Sequence, residues 1–265
     1  MSQHFLKIGL SLPQKERSQL LDIRTIPECF ELLELPGELA AEAPLLRSEQ
    51  PLFDEFEFFN FRNLIDSSLT CQLTRENQVI VQEYKKQLRE LFAVARQSKA
   101  ETVSIDPDWE TLLQDAERMR IFDDVLRSTA GDREFYQLTV TLAVRMPGSN
   151  RTEIVKSLEL LHKLANYRVK LSLDIHPHEL LNCPIDWESL LNHFRFDASD
   201  IRFCYASELG NKLLYKHIEP IINGVKKWQY PLNIYLAPSG RADLNELAEM
   251  IKSVNQELPT DESQR

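Results

Sequence analysis

Short apolar segments recur along the chain at intervals that suit a sheet whose strands are spaced by helices. Several of them are rich in β-branched residues or alternate between apolar and polar side chains, and most end at proline, glycine or acidic residues. These features are typical of β-strands. The pattern predicts eight strands, over residues 5–12, 29–35, 53–61, 102–105, 136–146, 169–175, 201–205 and 232–236.

Most of the predicted strands are separated by segments whose apolar residues follow a helical period. The longest covers residues 74–99, where Val81, Tyr84 and Leu88 recur at spacings of three and four residues. This spacing places them on one face of an amphipathic helix. Asp106, just before a proline, is predicted to cap the helix that follows it. Further helices are predicted over residues 38–47, 108–118, 122–133, 150–166, 183–194, 207–227 and 243–254.

The alternation of strands and helices predicts the fold class. Alternating β and α elements form parallel sheets, and eight such units in 265 residues close most naturally into an α/β TIM (β/α)8 barrel with a single domain. An open, doubly wound sheet is the alternative. The barrel is expected to occupy residues 1–256, and the polar residues 257–265 are expected to form a disordered tail.

Composition and charge narrow the function classes. The net charge of −10 and the pI near 5.2 argue against a nucleic-acid partner, because proteins that bind a phosphate backbone usually carry a basic face. The seven glycines form no phosphate-binding loop, and no apolar run is long enough to cross a membrane. The four cysteines form no C-x-x-C pair, and no secretory signal opens the chain. A cytoplasmic protein with reduced thiols is therefore expected.

The strongest chemical signal lies at the end of the sixth predicted strand. There the chain reads YRVKLSLDIHPHE, an apolar strand that stops at Asp174 and continues into His176 and His178. Active sites of α/β barrels gather at the carboxyl ends of the strands, so Asp174 and His176 are candidate acid/base residues. Glu34, at the end of the second predicted strand, is a candidate general base. Turn or cap hydrogen bonds would explain the same residues, since acidic residues beside proline-containing turns are common.

Four stretches of the sequence resemble the xylose isomerase-like TIM barrel superfamily, which includes sugar epimerases, sugar isomerases and endonuclease IV. LKIGLSL resembles the first strand of that family, and FELLELPG resembles the second with its terminal Glu. YKKQLRELFAVARQSKAETVSID resembles the long helix that leads into strand four. EIVKSLELLHKLANYRVKLSLDIHPH resembles the helix and strand that end on an Asp followed by a His. The resemblance implies a barrel that acts on sugars.

The resemblance also implies a divalent metal, held by a Glu after strand five, an Asp after strand six, a His from strand seven and a Glu after strand eight. Only Asp174 matches this ligand pattern. Arg145 stands at the strand-five position, and the later strands offer Cys204, Glu208 and Ala237. A hard cation needs several converging oxygen or nitrogen ligands, and a guanidinium repels it, so a metal is disfavoured. Arg145 is predicted to pair with Asp174 in the place of the metal.

Two functions stay open. The first is a sugar or sugar-acid isomerase or epimerase that works by proton transfer. Its catalytic residues would be Glu34, Asp174 and His176, and its substrate-binding residues would be Arg145, His178, Glu208 and Asp106. The alternative is a catalytically degenerate barrel that binds a small anionic ligand, or a protein partner, without metal. An endonuclease of the same superfamily is disfavoured by the acidic charge and the missing ligands.

Overall fold

Eight parallel strands pair in sequential order and close into a barrel, with β1 paired to both β2 and β8. The computed structural model of the protein describes residues 6–12, 30–37, 58–62, 67–145, 169–182, 186, 192, 194, 197–206, 209–228, 231–238 and 241–257. The strands are β1 (Leu6–Ser11), β2 (Leu32–Pro36), β3 (Phe58–Arg62), β4 (Ala100–Ile105), β5 (Thr139–Arg145), β6 (Val169–Ile175), β7 (Ala198–Tyr205) and β8 (Leu232–Pro238). The predicted TIM barrel is confirmed.

Helices lie between the strands. The described residues form a 3₁₀ helix at Ser67–Gln72 and the α-helices α1 (Gln78–Gln97), α2 (Trp109–Gln114), α3 (Ala116–Ser128), α4 (Ala130–Tyr136), α5 (Pro177–Asn182), α6 (Asn211–Trp228) and α7 (Arg241–Glu257). Helix α1 buries the face that its sequence predicts, including Val81, Tyr84 and Leu88. No helix in the described part of the chain is long and apolar enough to span a membrane.

The apolar core lies between the sheet and the helices, whereas many of the side chains that face the barrel interior are polar. On β6, Leu171, Leu173 and Ile175 belong to the apolar core, and Ser172 and Asp174 alternate with them. Successive side chains of a strand point to opposite faces, so one set faces the helices and the other faces the barrel interior. Polar side chains at the strand ends are therefore brought together inside the barrel.

The region after β4 differs from the prediction. The predicted helix over residues 108–118 is interrupted at Asp115, whose backbone is extended, with φ −130° and ψ 101°. The Asp115 carboxylate accepts hydrogen bonds from the N–H groups of Glu117 and Arg118 and so begins a second helix. Asp108, rather than Asp106, caps α2 by accepting from the N–H of Thr111. Short acidic side chains compete with the helical backbone in this way and start new helices.

Two further boundaries also differ. Strand β5 begins at Thr139, because Tyr136 still belongs to α4 and Gln137 has a left-handed backbone with φ 57° that ends the helix. After β6 the structure has a helix at Pro177–Asn182 that the sequence did not predict, and proline suits a first helical position; most of the predicted helix over residues 183–194 lies outside the described residues. The predicted helices over residues 38–47 and 150–166, the tail after residue 257 and residues 53–57 of the third predicted strand lie outside the described residues.

Candidate functional site

Glu34 and Arg202 form an ion pair through the middle of the barrel. Arg202 Nε donates to Glu34 Oε1 at 2.6 Å, and Arg202 Nη2 donates to Glu34 Oε2. Glu34 lies on β2 and Arg202 on β7, which are not neighbours, since β1 and β8 lie between them. The two side chains therefore meet across the barrel interior. Neither side chain is exposed to solvent.

Asp174, at the end of β6, is held by two guanidinium groups. Arg202 Nη1 donates to Asp174 Oδ1, and Arg62 Nη2 donates to Asp174 Oδ2 at 2.9 Å. Arg62 reaches across the barrel from β3, and 23% of its side chain is exposed, against 4% for Asp174. Arg62 therefore marks the open end of the site. We call Glu34, Arg62, Asp174 and Arg202 the ion cluster.

Glu34 is fixed by further hydrogen bonds from its neighbouring strands. Ser11 on β1 and Asn60 on β3 are its register partners. Ser11 Oγ donates to Glu34 Oε1, and Asn60 Nδ2 donates to Glu34 Oε2 at 2.8 Å. Together with Arg202, these donors serve both oxygens of the carboxylate. Buried charges are tolerated when they are paired and hydrogen-bonded in this way.

A third carboxylate, Asp200, lies two residues before Arg202 on the same strand. Its oxygens accept hydrogen bonds from Ser172 and, at 2.7 Å, from Ser199. Burial raises the pKa of Asp200 to about 6, although the charge of Arg202 and the hydrogen bond from Ser172 act in the opposite direction. Asp200 thus differs from Glu34 in lacking a direct hydrogen bond from a guanidinium among the contacts described.

The electrostatics of the ion cluster keep its central pair charged. Burial by itself raises the pKa of Glu34, but the charge and hydrogen bonds of Arg202, with help from Arg62 and Ser11, lower that pKa below its usual value. Burial acts to lower the pKa of Arg202, but Asp174 and Glu34 together raise it well above the usual value. Glu34 is consequently a weak proton acceptor in this arrangement.

The predicted site residues lie in different places around the barrel mouth. Glu34 and Asp174 belong to the ion cluster. His176 follows β6 directly and is half-buried, whereas His178 is exposed on α5. Asp106 is half-buried directly after β4.

Two predicted site residues are described in part or not at all. The backbone of Arg145 pairs in register with Asp174, but the Arg145 side chain lies outside the described part of the structure. Glu208 also lies outside it. The predicted pairing of Arg145 with Asp174 therefore stays a prediction, while both oxygens of Asp174 already accept hydrogen bonds from Arg202 and Arg62.

Arg62 and Arg202 were missed by the sequence analysis. Arg202 stands between Ile201 and Phe203, which are both fully buried, so strand alternation could have placed it inside the barrel. Arg62 lies one residue beyond the predicted end of the third strand. Local sequence carried no signal for its partner, because Arg62 and Asp174 are 112 positions apart.

The described residues do not fit a divalent metal at Asp174. A metal there would compete with two guanidinium groups for the carboxylate oxygens and would be repelled by both. In the described part of the chain, no group of three or more His, Cys, Asp or Glu side chains converges as ligands would. The ion cluster is thus arranged around an arginine rather than around a metal site.

Comparisons with known proteins identify the fold. No family model matches the sequence, and no curated protein matches it. Among solved structures, a 3-keto-D-glucoside 4-epimerase from E. coli superposes with a TM-score of 0.64 at 13% identity, covering 93% of this chain and 99% of the other. An AP endonuclease of family 2 from Brucella melitensis gives a TM-score of 0.66 at 14% identity, covering 93% and 98%.

A third structure ties the fold to the resemblance found in the sequence. A xylose isomerase domain containing protein from Salmonella typhimurium gives a TM-score of 0.57 at 14% identity, covering 97% of both chains. At such identities the likeness concerns the fold and not the chemistry. The chain therefore has the fold of the xylose isomerase-like TIM barrels.

Proposed function

We propose that the carboxyl-end mouth of the barrel binds a small, hydroxyl-rich anion, such as a sugar acid or a sugar phosphate, without a metal ion. The observation that carries this proposal is the solvent exposure of Arg62. Its side chain is the partly exposed member of an otherwise buried ion cluster. A guanidinium at an open strand end is well suited to carboxylate or phosphate groups, which it can bind through two parallel hydrogen bonds.

The unused hydrogen-bonding capacity of Arg62 supports an anionic ligand. Arg202 is neutralised by its paired contacts with Glu34, and it also shares Asp174 with Arg62. Arg62 thus donates a hydrogen bond to one oxygen of Asp174 and interacts with Glu34 through its charge alone. Its Nε atom is buried and has no hydrogen-bond partner among the described residues. A ligand anion at the mouth would accept hydrogen bonds from the partly exposed guanidinium of Arg62.

The structural neighbours support the sugar part of the proposal. One of them is an epimerase whose substrate is named as a 3-keto-D-glucoside. Another is a D-psicose 3-epimerase crystallised with D-tagatose, with a TM-score of 0.67 at 10% identity. Ligands of barrel proteins usually bind at the carboxyl ends of the strands, where Arg62 and Asp174 lie. A hydroxyl-rich ligand is therefore the chemistry we assign to this mouth.

Thermal unfolding with a panel of ligands tests the proposal. Sugar acids and sugar phosphates, each paired with its neutral parent sugar, are added in the presence of EDTA. At least one anionic sugar is expected to raise the melting temperature, because a ligand that binds only the folded state stabilises it. Arg62→Gln is expected to weaken that binding by about 10- to 100-fold, as loss of a charged hydrogen bond does.

The matched control is Arg89→Gln. Arg89 lies on α1, in the outer helix layer, and pairs with Asp132 of α4. This variant is expected to bind the ligand as the native chain does. A panel in which no anionic sugar binds, or in which Arg62→Gln binds as tightly as the native chain, would show the proposal to be wrong.

An isomerase or epimerase that works by proton transfer is the second candidate. Asp174 and the half-buried His176 lie two residues apart at the mouth, and epimerases are among the structural neighbours. In this function the proton would be moved by Glu34, Asp174 and His176. The substrate would be contacted by Arg145, His178, Glu208 and Asp106. The lowered pKa of Glu34 makes Glu34 a poor proton acceptor in this function.

Solvent exchange tests this second candidate. Keto-sugars are incubated with the protein in D2O, and proton NMR follows the signal of the hydrogen next to the carbonyl carbon. The native chain and Arg89→Gln are expected to exchange this hydrogen for deuterium. His176→Gln is expected to abolish the exchange. Sugars that bind without any exchange would leave binding, and not epimerisation, as the function.

A further inference from the structure

We infer that Arg202 is a built-in counter-ion that takes the place of a divalent cation among the carboxylates inside the barrel. This role of Arg202 in neutralising the barrel interior is independent of the ligand proposed above. Several carboxylates lie in this interior. Glu34, Asp174 and Asp200 are all at least nine-tenths buried and lie on three different strands.

Arg202 connects two of these three carboxylates by direct hydrogen bonds. It donates to both oxygens of Glu34 and to one oxygen of Asp174. Asp200 is close enough to influence Arg202 through its charge. A cation that draws carboxylates from several strands to one point is what a divalent metal does in an oxygen-ligand site. Here the cation is supplied by the chain itself.

The complete burial of Arg202 distinguishes its ion pairs from solvent-exposed contacts at the protein surface. Its side chain has no exposed surface, so its charge is stabilised by protein groups alone. A buried charge is costly unless it is paired and hydrogen-bonded, and the same holds for each carboxylate. Removal of Arg202 would therefore leave at least two mutually repelling carboxylates in a small volume, where they would either take up protons or bind a cation.

This inference predicts that a variant lacking the guanidinium gains a metal site. Arg202→Ala, combined with Arg62→Gln so that no guanidinium remains beside Asp174, removes the cation and opens space between Glu34 and Asp174. Mn²⁺ at about 1 mM is expected to raise its melting temperature by about 2 °C or more relative to EDTA, since the ion binds only the folded state. The purified variant is expected to retain about one Mn²⁺ per chain after dialysis, measured by elemental analysis, as a site with several carboxylate ligands does.

Two controls separate the loss of this cation from general damage. Arg202→Lys, also combined with Arg62→Gln, keeps a positive charge inside the barrel and is expected to show no response to Mn²⁺. Arg133→Ala removes another arginine without exposed surface, which lies outside the ion cluster and donates to the carbonyl of Leu126 and the hydroxyl of Thr129. This variant is expected to lose stability without any response to Mn²⁺.

A second variant covers the case in which the variant with Arg202→Ala does not fold. Arg202→His, again combined with Arg62→Gln, fills more of the space and adds a nitrogen ligand, and it is also expected to take up Mn²⁺. A chain that folds only when Mn²⁺ is present supports the inference. It is overturned if neither variant binds Mn²⁺ under any condition, or if the native chain binds stoichiometric Mn²⁺ that Asp174→Asn abolishes.

Discussion

Glu34 and Asp200 are both fully buried carboxylates inside the same barrel, yet their pKa values move in opposite directions. Burial raises the pKa of each, because it disfavours the charged form. Glu34 is bound directly by the guanidinium of Arg202 and becomes more acidic. Asp200 receives its hydrogen bonds from Ser172 and Ser199 and becomes less acidic. The partner, and not the depth of burial, decides the charge of each group.

The raised pKa of Asp200 predicts a pH dependence of stability. The usual value of 3.8 applies to the unfolded chain, and the folded value is about 6. Folding therefore favours the protonated carboxyl, so its stabilising contribution is complete below pH 3.8 and is lost as the pH rises through about 6. The side chain of Asp200→Asn cannot titrate. As the pH rises from 3.8 to about 6, the free energy of unfolding of this variant should therefore increase by roughly 3 kcal/mol relative to that of the native chain.

Urea unfolding of both chains across this pH range measures the difference. The exposed Asp124→Asn on α3 serves as the control for removing one carboxylate from the surface. A stability difference between Asp200→Asn and the native chain that stays constant with pH would contradict the assignment of this titration to Asp200.

At the scale of elements, the alternation along the strands explains how an ionic interior coexists with an apolar core. Strand β7 places Ile201 and Phe203 in the apolar core and directs Arg202, between them, into the barrel interior. A shift of one residue in the register of β7 would reverse the two faces. The register of β7 is therefore fixed by two sets of contacts. These are apolar packing against the helix layer and ion pairs in the barrel interior.

The approach of β1 to its two neighbours depends on Gly9. A Cβ atom at this position would lie 2.6 Å from Cβ of Leu32, 2.9 Å from Cε1 of Tyr235 and 3.0 Å from the carbonyl oxygen of Leu32. Leu32 on β2 and Tyr235 on β8 are the register partners of Gly9 on either side. Gly9 thus lies where the first strand meets the last, at the closure of the barrel.

Gly9→Ala is expected to destabilise the protein by about 1–3 kcal/mol, because overpacking forces the backbone or the Tyr235 ring to move. Gly131→Ala is the matched control, since a Cβ atom there meets nothing within 4 Å and the residue lies in α4. It is expected to be neutral or stabilising by less than about 1 kcal/mol. Equal unfolding midpoints in urea for the two variants would show that β1 has room for a side chain at position 9.

At the scale of the whole molecule, the ion cluster joins strands that are far apart in sequence and in barrel order. Its four residues lie on β2, β3, β6 and β7. The ion pair of Glu34 with Arg202 links residues 168 positions apart, and that of Arg62 with Asp174 links residues 112 positions apart. Such contacts form only when the barrel closes, because loop-closure entropy opposes them earlier. The ion cluster is therefore a property of the closed barrel.

Local sequence was sufficient for the elements and for part of the candidate site. The bounds of β6, Val169–Ile175, agree with the prediction, and each of the eight predicted strands overlaps one strand of the closed barrel. Their period and their turn residues are set by neighbours within a few positions, so they can be seen in the sequence. For the same reason Glu34 and Asp174 could be recognised as acidic residues at strand ends.

The partners of those carboxylates were decided by the tertiary structure alone. Alternation along β7 could have placed Arg202 inside the barrel, but neither Arg62 nor Arg202 carries a local mark of the carboxylate that it meets. Which arginine meets which carboxylate depends on the register of eight strands and on the width of the barrel they enclose. Sequence periodicity determined which side chains point inward, and the closure of the sheet determined that an arginine stands among the carboxylates there.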